Sequence, residues 1–416
     1  MKDFIFTFSL FSSALFFSIT AILGIGYDNT SSGLYMYYCI ISFVITFLTF
    51  LLVYSKQHKY KEHNVLFIVA FIYILVGIVS GFFTDKSVLC FGAFCLPAIC
   101  IGIYYANYGQ IGDMVKWLDV VMWIMTAAMF FLLRNLSVSM LEGVSYYSQE
   151  LSYHAALCFL LDLFLLSYGS NYKRFALFNN KIIRILNIVL LLAYPVAILY
   201  SGGRGGFVAI FVGVLIYAFT SGHKKVKSNI VVGILLIVLG FGFASLITKS
   251  GSADFMGNLQ RNGERVFAYI TKEGIDMSET SGRDKVYAKT LNLVGQNPLG
   301  YGLFSYKTVL QKETKQPYPH NLFLEWMIQG GILLFLFYSY ILFFILRKYH
   351  RTRKAGRASP LLIPFMVYSL VLLCFSGSYM EEPFFWFTLS YIYCIRNSKS
   401  KHAIVLDNTN MVYSSN

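Results

Sequence analysis

His320, within Tyr318-Pro319-His320-Asn321, is placed to act as a base, since a neutral imidazole at an interface can take a proton from a hydroxyl at neutral pH. Asn321 has the residue type of a helix N-cap. Glu325, four residues on, shares its helical face, so an acid, an amide and an imidazole are expected to stand together. Two arginines lie in other segments. Arg204 belongs to Ser201-Gly202-Gly203-Arg204-Gly205-Gly206, a Gly-rich turn that opens an apolar run. Its uncovered backbone N–H groups and the partial positive charge of a helix N-terminus suit a phosphate; a tight turn with an interfacial Arg accounts for the segment equally well. Arg283 follows Ser281-Gly282 and precedes the turn Asn297-Pro298-Leu299-Gly300-Tyr301-Gly302; alone it would pass for a surface Arg in a polar loop. Arg261, Arg265, Lys285 and Lys289 are close enough in sequence to extend the same basic surface. Guanidinium groups are permanently charged and bidentate, which fits a diphosphate. Together these side chains outline a glycosyl transfer in which His320 activates an acceptor hydroxyl and Arg204 and Arg283 stabilise a departing diphosphate. No metal is required for that chemistry, and the chain contains no DxD sequence.

The elements that must position these groups are read from composition. Of 416 residues, 57% are hydrophobic and only 13% charged, with a mean hydropathy of +0.60. Soluble proteins carry roughly 25% charged residues, so a water-soluble globular enzyme is excluded and the bilayer must be the solvent. Apolar runs predict an all-α integral membrane protein with about twelve spanning helices of about 20 residues each. They run from Phe4 to Ile25, Leu34 to Tyr54, Val65 to Phe83, Val88 to Ala106, Val115 to Leu133, Leu151 to Tyr168, Ile182 to Tyr200, Gly205 to Thr220, Asn229 to Thr248, Asn321 to Leu346, Leu361 to Phe375 and Pro383 to Ile395. The first run is too long for the apolar core of a signal peptide and is taken as a retained helix. The resulting divisions are nine helices over 1–248, a loop or cap over 249–320, three helices over 321–396 and a tail over 397–416.

The net charge of +14 is distributed unevenly. With the N-terminus in the cytoplasm, cytoplasmic segments hold 21 of the 34 Lys and Arg residues, whereas the short loops of the other face hold only Lys86, Arg134 and Arg204. The positive-inside rule therefore puts both termini in the cytoplasm. The stretch from Lys249 to His320 falls on the opposite side; a connection of that length is usually functional or disordered. Its segments Arg261 to Ile275 and Arg283 to Val294 have helix-like spacing, the latter with Val286, Leu291 and Val294 apolar, so a small, mostly helical cap is expected.

Other features read as structural. Cys39, Cys90, Cys95, Cys100, Cys158, Cys374 and Cys394 lie in or at the ends of apolar runs without a CxxC and behave as small hydrophobes. Asp162 is an intramembrane carboxylate, a functional candidate by default, although snorkelling or pairing with Lys173 explains it as well. The basic run RKYHRTRKAGR, which could bind anionic lipid heads, is sufficiently explained by topology.

The ordered set SGGRGG, then SGRDKVYAKTLNLVGQNPLGYG, then PHNLFLEWMIQGGI, with about 110 residues between the first and last, resembles the bacterial O-antigen polymerase and O-antigen ligase superfamily. The resemblance covers roughly the C-terminal half; the N-terminal half matches only as a row of helices. It implies a metal-independent, cofactor-free inverting glycosyltransferase at the periplasmic face of the bacterial inner membrane, acting on undecaprenyl-diphosphate-linked oligosaccharide as donor and acceptor. By motif it implies His320 as the catalytic base and Arg204 and Arg283 as diphosphate contacts, with Asn321, Glu325, Arg261 and Arg265 ranked second. The PHNLFLE and GGRGG forms look more like a polymerase, of O-antigen or capsule, than like a ligase that passes glycan to lipid A core. A chain-length-determining copolymerase is a candidate partner, and no nucleic-acid partner is expected. The rival class is a flippase or transporter of the same lipid-linked sugars, but no internal repeat is visible and the helix interiors hold almost no Lys or Arg. A purely structural subunit would leave Arg204, Arg283 and His320 on one face unexplained.

Overall fold

The computed structural model describes residues 1–23, 33–54, 90–141, 147–220, 270–271, 274–275, 283–303, 305–316, 318–356 and 358–395. Among them are thirteen α-helices: α1 (Lys2–Leu10), α2 (Ser12–Ile22), α3 (Gly33–Tyr54), α4 (Leu96–Asn107), α5 (Val115–Leu141), α6 (Tyr147–Tyr168), α7 (Lys181–Ser201), α8 (Arg204–Thr220), α9 (Arg283–Gln296), α10 (Tyr306–Thr314), α11 (Leu322–Lys354), α12 (Leu362–Phe375) and α13 (Pro383–Cys394). Ten of the twelve predicted runs correspond to these helices; Val65 to Phe83 and Asn229 to Thr248 lie outside the described residues, as do Arg261 and Arg265. The stretches Ile111–Leu133, Gln149–Asn171, Lys181–Ser201 and Leu322–Lys354 are long and apolar enough to cross a bilayer, and α1 with α2 makes a fifth if that pair is one span.

Three predicted runs are broken, one of them Asn321 to Leu346, at Gly330 and Gly331. The first run is divided into α1 and α2, bent by 75° at Phe11. The fourth opens with a π-helical turn, Phe91–Cys95, before α4. Apolar periodicity registers neither of these last two breaks, because both flanks of each remain apolar. Within the predicted helical segment Arg261 to Ile275, the described residues pair instead as an antiparallel ribbon, Ile270 opposite Ile275 and Thr271 opposite Gly274.

Helix α6 is the centre of the bundle and packs against α5, α7, α8 and α12. It carries no amphipathic stripe because it is enclosed on all sides: Leu151, Ala155, Leu160 and Phe164 are each buried. Helix α11 lies at the periphery and leaves Leu333, Leu336, Phe337 and Phe343 exposed, as a lipid-facing helix would. Cations assigned by sequence to the cytoplasmic face gather at one end. There Lys2 Nζ donates to the Tyr104 hydroxyl (2.6 Å), Lys116 stands 4.4 Å over the Phe175 ring, and Lys348 Nζ donates to the Tyr393 carbonyl (2.6 Å). Asp162 is fully buried and does not snorkel; the cation near it is Arg174 rather than Lys173, and Arg174 makes a bidentate pair with Asp119 (2.6 and 2.8 Å). All seven cysteines are free.

Helices α9 and α10 belong to the predicted cap. The buried face of α9 is Val286, Thr290 and Leu293, whereas Leu291, expected inside, is 52% exposed. Leu293, with Val294 beside it, packs against Tyr306, Leu310 and Ile328, while Val286 at the other end of the row lines the cavity described below. The cap is joined to α11 through backbone. Helix α11 breaks at Gly330 (φ −134°, ψ 23°) and Gly331 (φ 66°, ψ −164°), which frees main-chain groups, and the turn from Asn297 to Gly302 satisfies them. Tyr301 N–H donates to the Ile328 carbonyl (2.8 Å), Gly302 N–H to the Gln329 carbonyl (2.7 Å), and Ile332 N–H to the Pro298 carbonyl (3.3 Å). A Cβ on Gly331 would collide with that Pro298 carbonyl, and the φ/ψ pair is one that glycine alone adopts readily. Gly331→Ala is therefore expected to destabilise the protein by about 1–3 kcal/mol from backbone strain, with more from the lost docking bonds. The check is thermal unfolding of the detergent-solubilised protein; an unchanged midpoint would show that the cap is not held this way.

Candidate active site

A cavity of about 1060 Å³ opens at the end of the bundle opposite the cation-rich end. Its floor is apolar and is drawn from α1, α2, α5, α6 and α12. Its walls are polar, with Arg283, Lys285 and Lys289 of α9, Tyr318 and His320 ahead of α11, and Glu381 and Glu382 of the α12–α13 connection. Residues from Leu10 to Phe384 thus converge on one volume, and its polar wall alone is drawn from separate parts of the chain.

His320 occupies the left-handed region (φ 55°), in a chain where only one other non-glycine residue among those described, Lys315, has positive φ. Such a conformation costs on the order of 1 kcal/mol or more and persists where surrounding structure over-determines it. Here Pro319 fixes the approach and Asn321 the departure. The Asn321 side chain accepts from the N–H groups of Phe323 (3.0 Å) and Leu324 (3.2 Å), which starts α11 directly after His320. The Tyr318 ring meets the imidazole edge-on, with centroids 4.6 Å apart. His320 Nε2 lies 3.4 Å from Gln316 Oε1, and the tautomer that donates across that gap leaves the Nδ1 lone pair free. Nδ1 is buried and has no hydrogen-bond partner among the described residues. Burial, and then the charge of Arg283, lower the imidazole pKa to about 4, so it is neutral at pH 7.

Arg283 is the first residue of α9 and lines the cavity; its charge reaches His320, Tyr318 and Tyr153. The structure therefore brings Arg283 and His320 together, with Lys285 and Lys289 on the same wall; Lys289 is also paired with Glu313 (3.2 Å) on the exposed side. Arg204 is not among the lining residues. It opens α8 after Gly202, which ends α7 in the left-handed conformation (φ 68°). The glycines around it serve close packing against α6. Ser152 Oγ donates to the Gly203 carbonyl (2.7 Å), Gly206 abuts Ser152, and the Tyr153 hydroxyl stands where a Cβ on Gly205 would be. The turn reaches the cavity through Tyr153, which lines it.

The expected grouping of Glu325 with His320 is not formed. Glu325 is 1% exposed, and its Oε1 accepts from the Tyr306 hydroxyl and from Ser378 Oγ, each at 2.5 Å. The shared helical face with Asn321 is real, but His320 precedes the helix in the left-handed conformation and leaves the helical face altogether. Glu325 instead ties α10 and the α12–α13 connection to α11, while Asn321 is spent on capping.

Sequence reasoning missed Tyr153, Glu150 and His154 on α6, and Glu381 and Glu382. The available signal was a cluster of polar residues, Glu150 to His154, at the outer end of an apolar run, and two adjacent acids in a short loop that a count of cations alone passes over. Glu382 caps α13 by accepting from Phe384 N–H (3.1 Å), and burial pushes its carboxyl up to about 8. Lys307 pairs with Glu381 (3.3 Å), linking α10 to the same wall.

Residues 186–339 match a family model described as O-antigen ligase. The matched stretch, rather more than a third of the chain, runs from α7 into α11 and includes the Gly-rich turn, α9, the Asn297 to Gly302 turn and His320. It supports the O-antigen polymerase and ligase superfamily implied by the motifs. No curated protein and no solved structure matches the chain.

Proposed function

We propose, from the superfamily that residues 186–339 match, that this helical membrane protein is a metal-independent glycosyltransferase that polymerises lipid-diphosphate-linked glycan repeats. The observation that carries the proposal is a neutral imidazole with a free Nδ1 lone pair sharing one cavity with Arg283. The acceptor hydroxyl gives its proton to His320 Nδ1 as its oxygen forms a bond to the anomeric carbon of the donor. The bond from that carbon to the diphosphate oxygen breaks on the opposite face, so the configuration inverts. The electron pair leaves with undecaprenyl diphosphate, and Arg283 holds the charge that develops there. An aqueous cavity above an apolar floor suits a substrate with a sugar head and a polyprenyl tail.

Purified protein supplied with lipid-diphosphate-linked oligosaccharide is expected to lengthen the glycan and release undecaprenyl diphosphate in the presence of EDTA. Absence of transfer under any metal condition would overturn the assignment, and transfer abolished by EDTA would overturn the mechanism. The description of the matching family favours a second reading, a ligase that uses the same donor and the same residues. A deletion strain separates the two: single-repeat caps on lipopolysaccharide indicate a lost polymerase, uncapped core a lost ligase.

A further inference from the structure

Tyr153 joins the two arginine motifs, and no motif of the sequence contains it. Its ring is held on one side by Tyr368, edge-on with centroids 6.5 Å apart, and its hydroxyl lies against Gly205 in the first turn of α8, next to Arg204. Ser152, one residue earlier, fixes that turn through the Gly203 carbonyl. The side chain is 8% exposed, and what it exposes faces the cavity, within electrostatic reach of Arg283. A phenol placed for packing alone would turn its hydroxyl to a protein acceptor, because a buried Tyr O–H ordinarily finds one. The charge nearest in effect to this one is that of Arg283, with the Tyr318 and Tyr287 phenols further groups around it, and the hydroxyl abuts the first turn of α8, the positive end of that helix. A hydroxyl donor beside Arg283 and a helix N-terminus, on the cavity wall that also carries Lys285 and Lys289, suits an anionic ligand.

We propose that the Tyr153 hydroxyl donates a hydrogen bond to the diphosphate of the lipid-linked donor, beside Arg283, and that Gly205 is glycine so that the phenol can stand there. This rests on the glycosyltransferase assignment and names a further residue of its donor site. The bond is made to a charged oxygen and strengthens as the leaving diphosphate gains charge, so it acts on both binding and rate.

The test is Tyr153→Phe, which keeps the ring and its packing and removes only the donor. Affinity for inorganic pyrophosphate, measured by calorimetry on the full chain in detergent, is expected to fall roughly tenfold to a hundredfold, the range of a hydrogen bond to a charged group. Donor kcat/KM is expected to fall by a similar factor with the acceptor KM and the unfolding midpoint unchanged. Gly205→Ala, which drives a methyl group into the hydroxyl, is expected to reproduce the loss, with no further loss in the double variant. Unchanged pyrophosphate affinity and donor kcat/KM in Tyr153→Phe would overturn the proposal. A wild-type protein that binds pyrophosphate but transfers no glycan would overturn the enzyme assignment instead, leaving the tyrosine to be judged on pyrophosphate affinity alone.

Discussion

His320→Asn is expected to lower glycan transfer by roughly 10²- to 10⁴-fold, the usual contribution of a general base, while the protein still folds and binds pyrophosphate. Asparagine is the informative replacement because it tolerates the left-handed backbone that His320 adopts, whereas alanine would add strain of its own. The wild-type pH profile carries the same assignment. A base works in its neutral form, and here burial and Arg283 lower the imidazole pKa to about 4. For free enzyme, read from kcat/KM, activity should be present across the neutral range and be lost only as pH falls through about 4. A base with so low a pKa is weak, but a bound diphosphate places negative charge opposite Arg283 and cancels the field that holds the imidazole down. The acid limb in kcat should therefore lie higher than in kcat/KM, so that substrate binding itself strengthens the base. Glu382, which burial raises to about 8, titrates above the acid limb of kcat/KM. Full activity in His320→Asn would remove His320 from the reaction; coincident limbs in kcat and kcat/KM would remove the coupling between diphosphate and base.

Each of these groups was legible in the sequence to a different degree, and the differences are physical. Ten apolar runs could be read as helices because a long stretch without polar partners must satisfy its own backbone, which a helix does within itself. The breaks at Phe11 and at Gly330 could not be read, since hydropathy measures side chains and both breaks are backbone events. Gly330-Gly331 could have signalled one, but the repair by the Asn297 to Gly302 turn depends on packing between distant segments. His320 and Arg283, which the structure brings to one cavity, stand out in the sequence because their residue types are costly at a membrane surface without a purpose. At Gly202 to Gly206 the sequence carried no sign of a second role for the glycines, which admit Ser152 and Tyr153 in close contact. Sequence reasoning overreached at Glu325, whose spacing from Asn321 fixed a helical face but could not fix what that face would meet.

Arg283→Gln is expected to lower donor kcat/KM by roughly 10²- to 10³-fold, the cost of removing one preorganised contact from a developing oxyanion, without loss of stability. The stability expectation follows from position. Arg283 is the first residue of α9, where a cation opposes the helix dipole by about 0.3–1 kcal/mol. Its removal should therefore leave the unfolding midpoint unchanged or slightly raised, the opposite of what a structural arginine would give. A second readout isolates its charge. Because Arg283 is one of the two causes that hold His320 down, Arg283→Gln should move the acid limb of kcat/KM upward from about 4, towards the ordinary histidine range. Arg283→Lys keeps the charge and loses the bidentate fork, so it should hold the limb in place yet recover only part of the rate. A glutamine variant that loses rate without moving the limb would mean that Arg283 binds diphosphate but does not set the base; one that keeps both rate and limb would take the arginine out of the site.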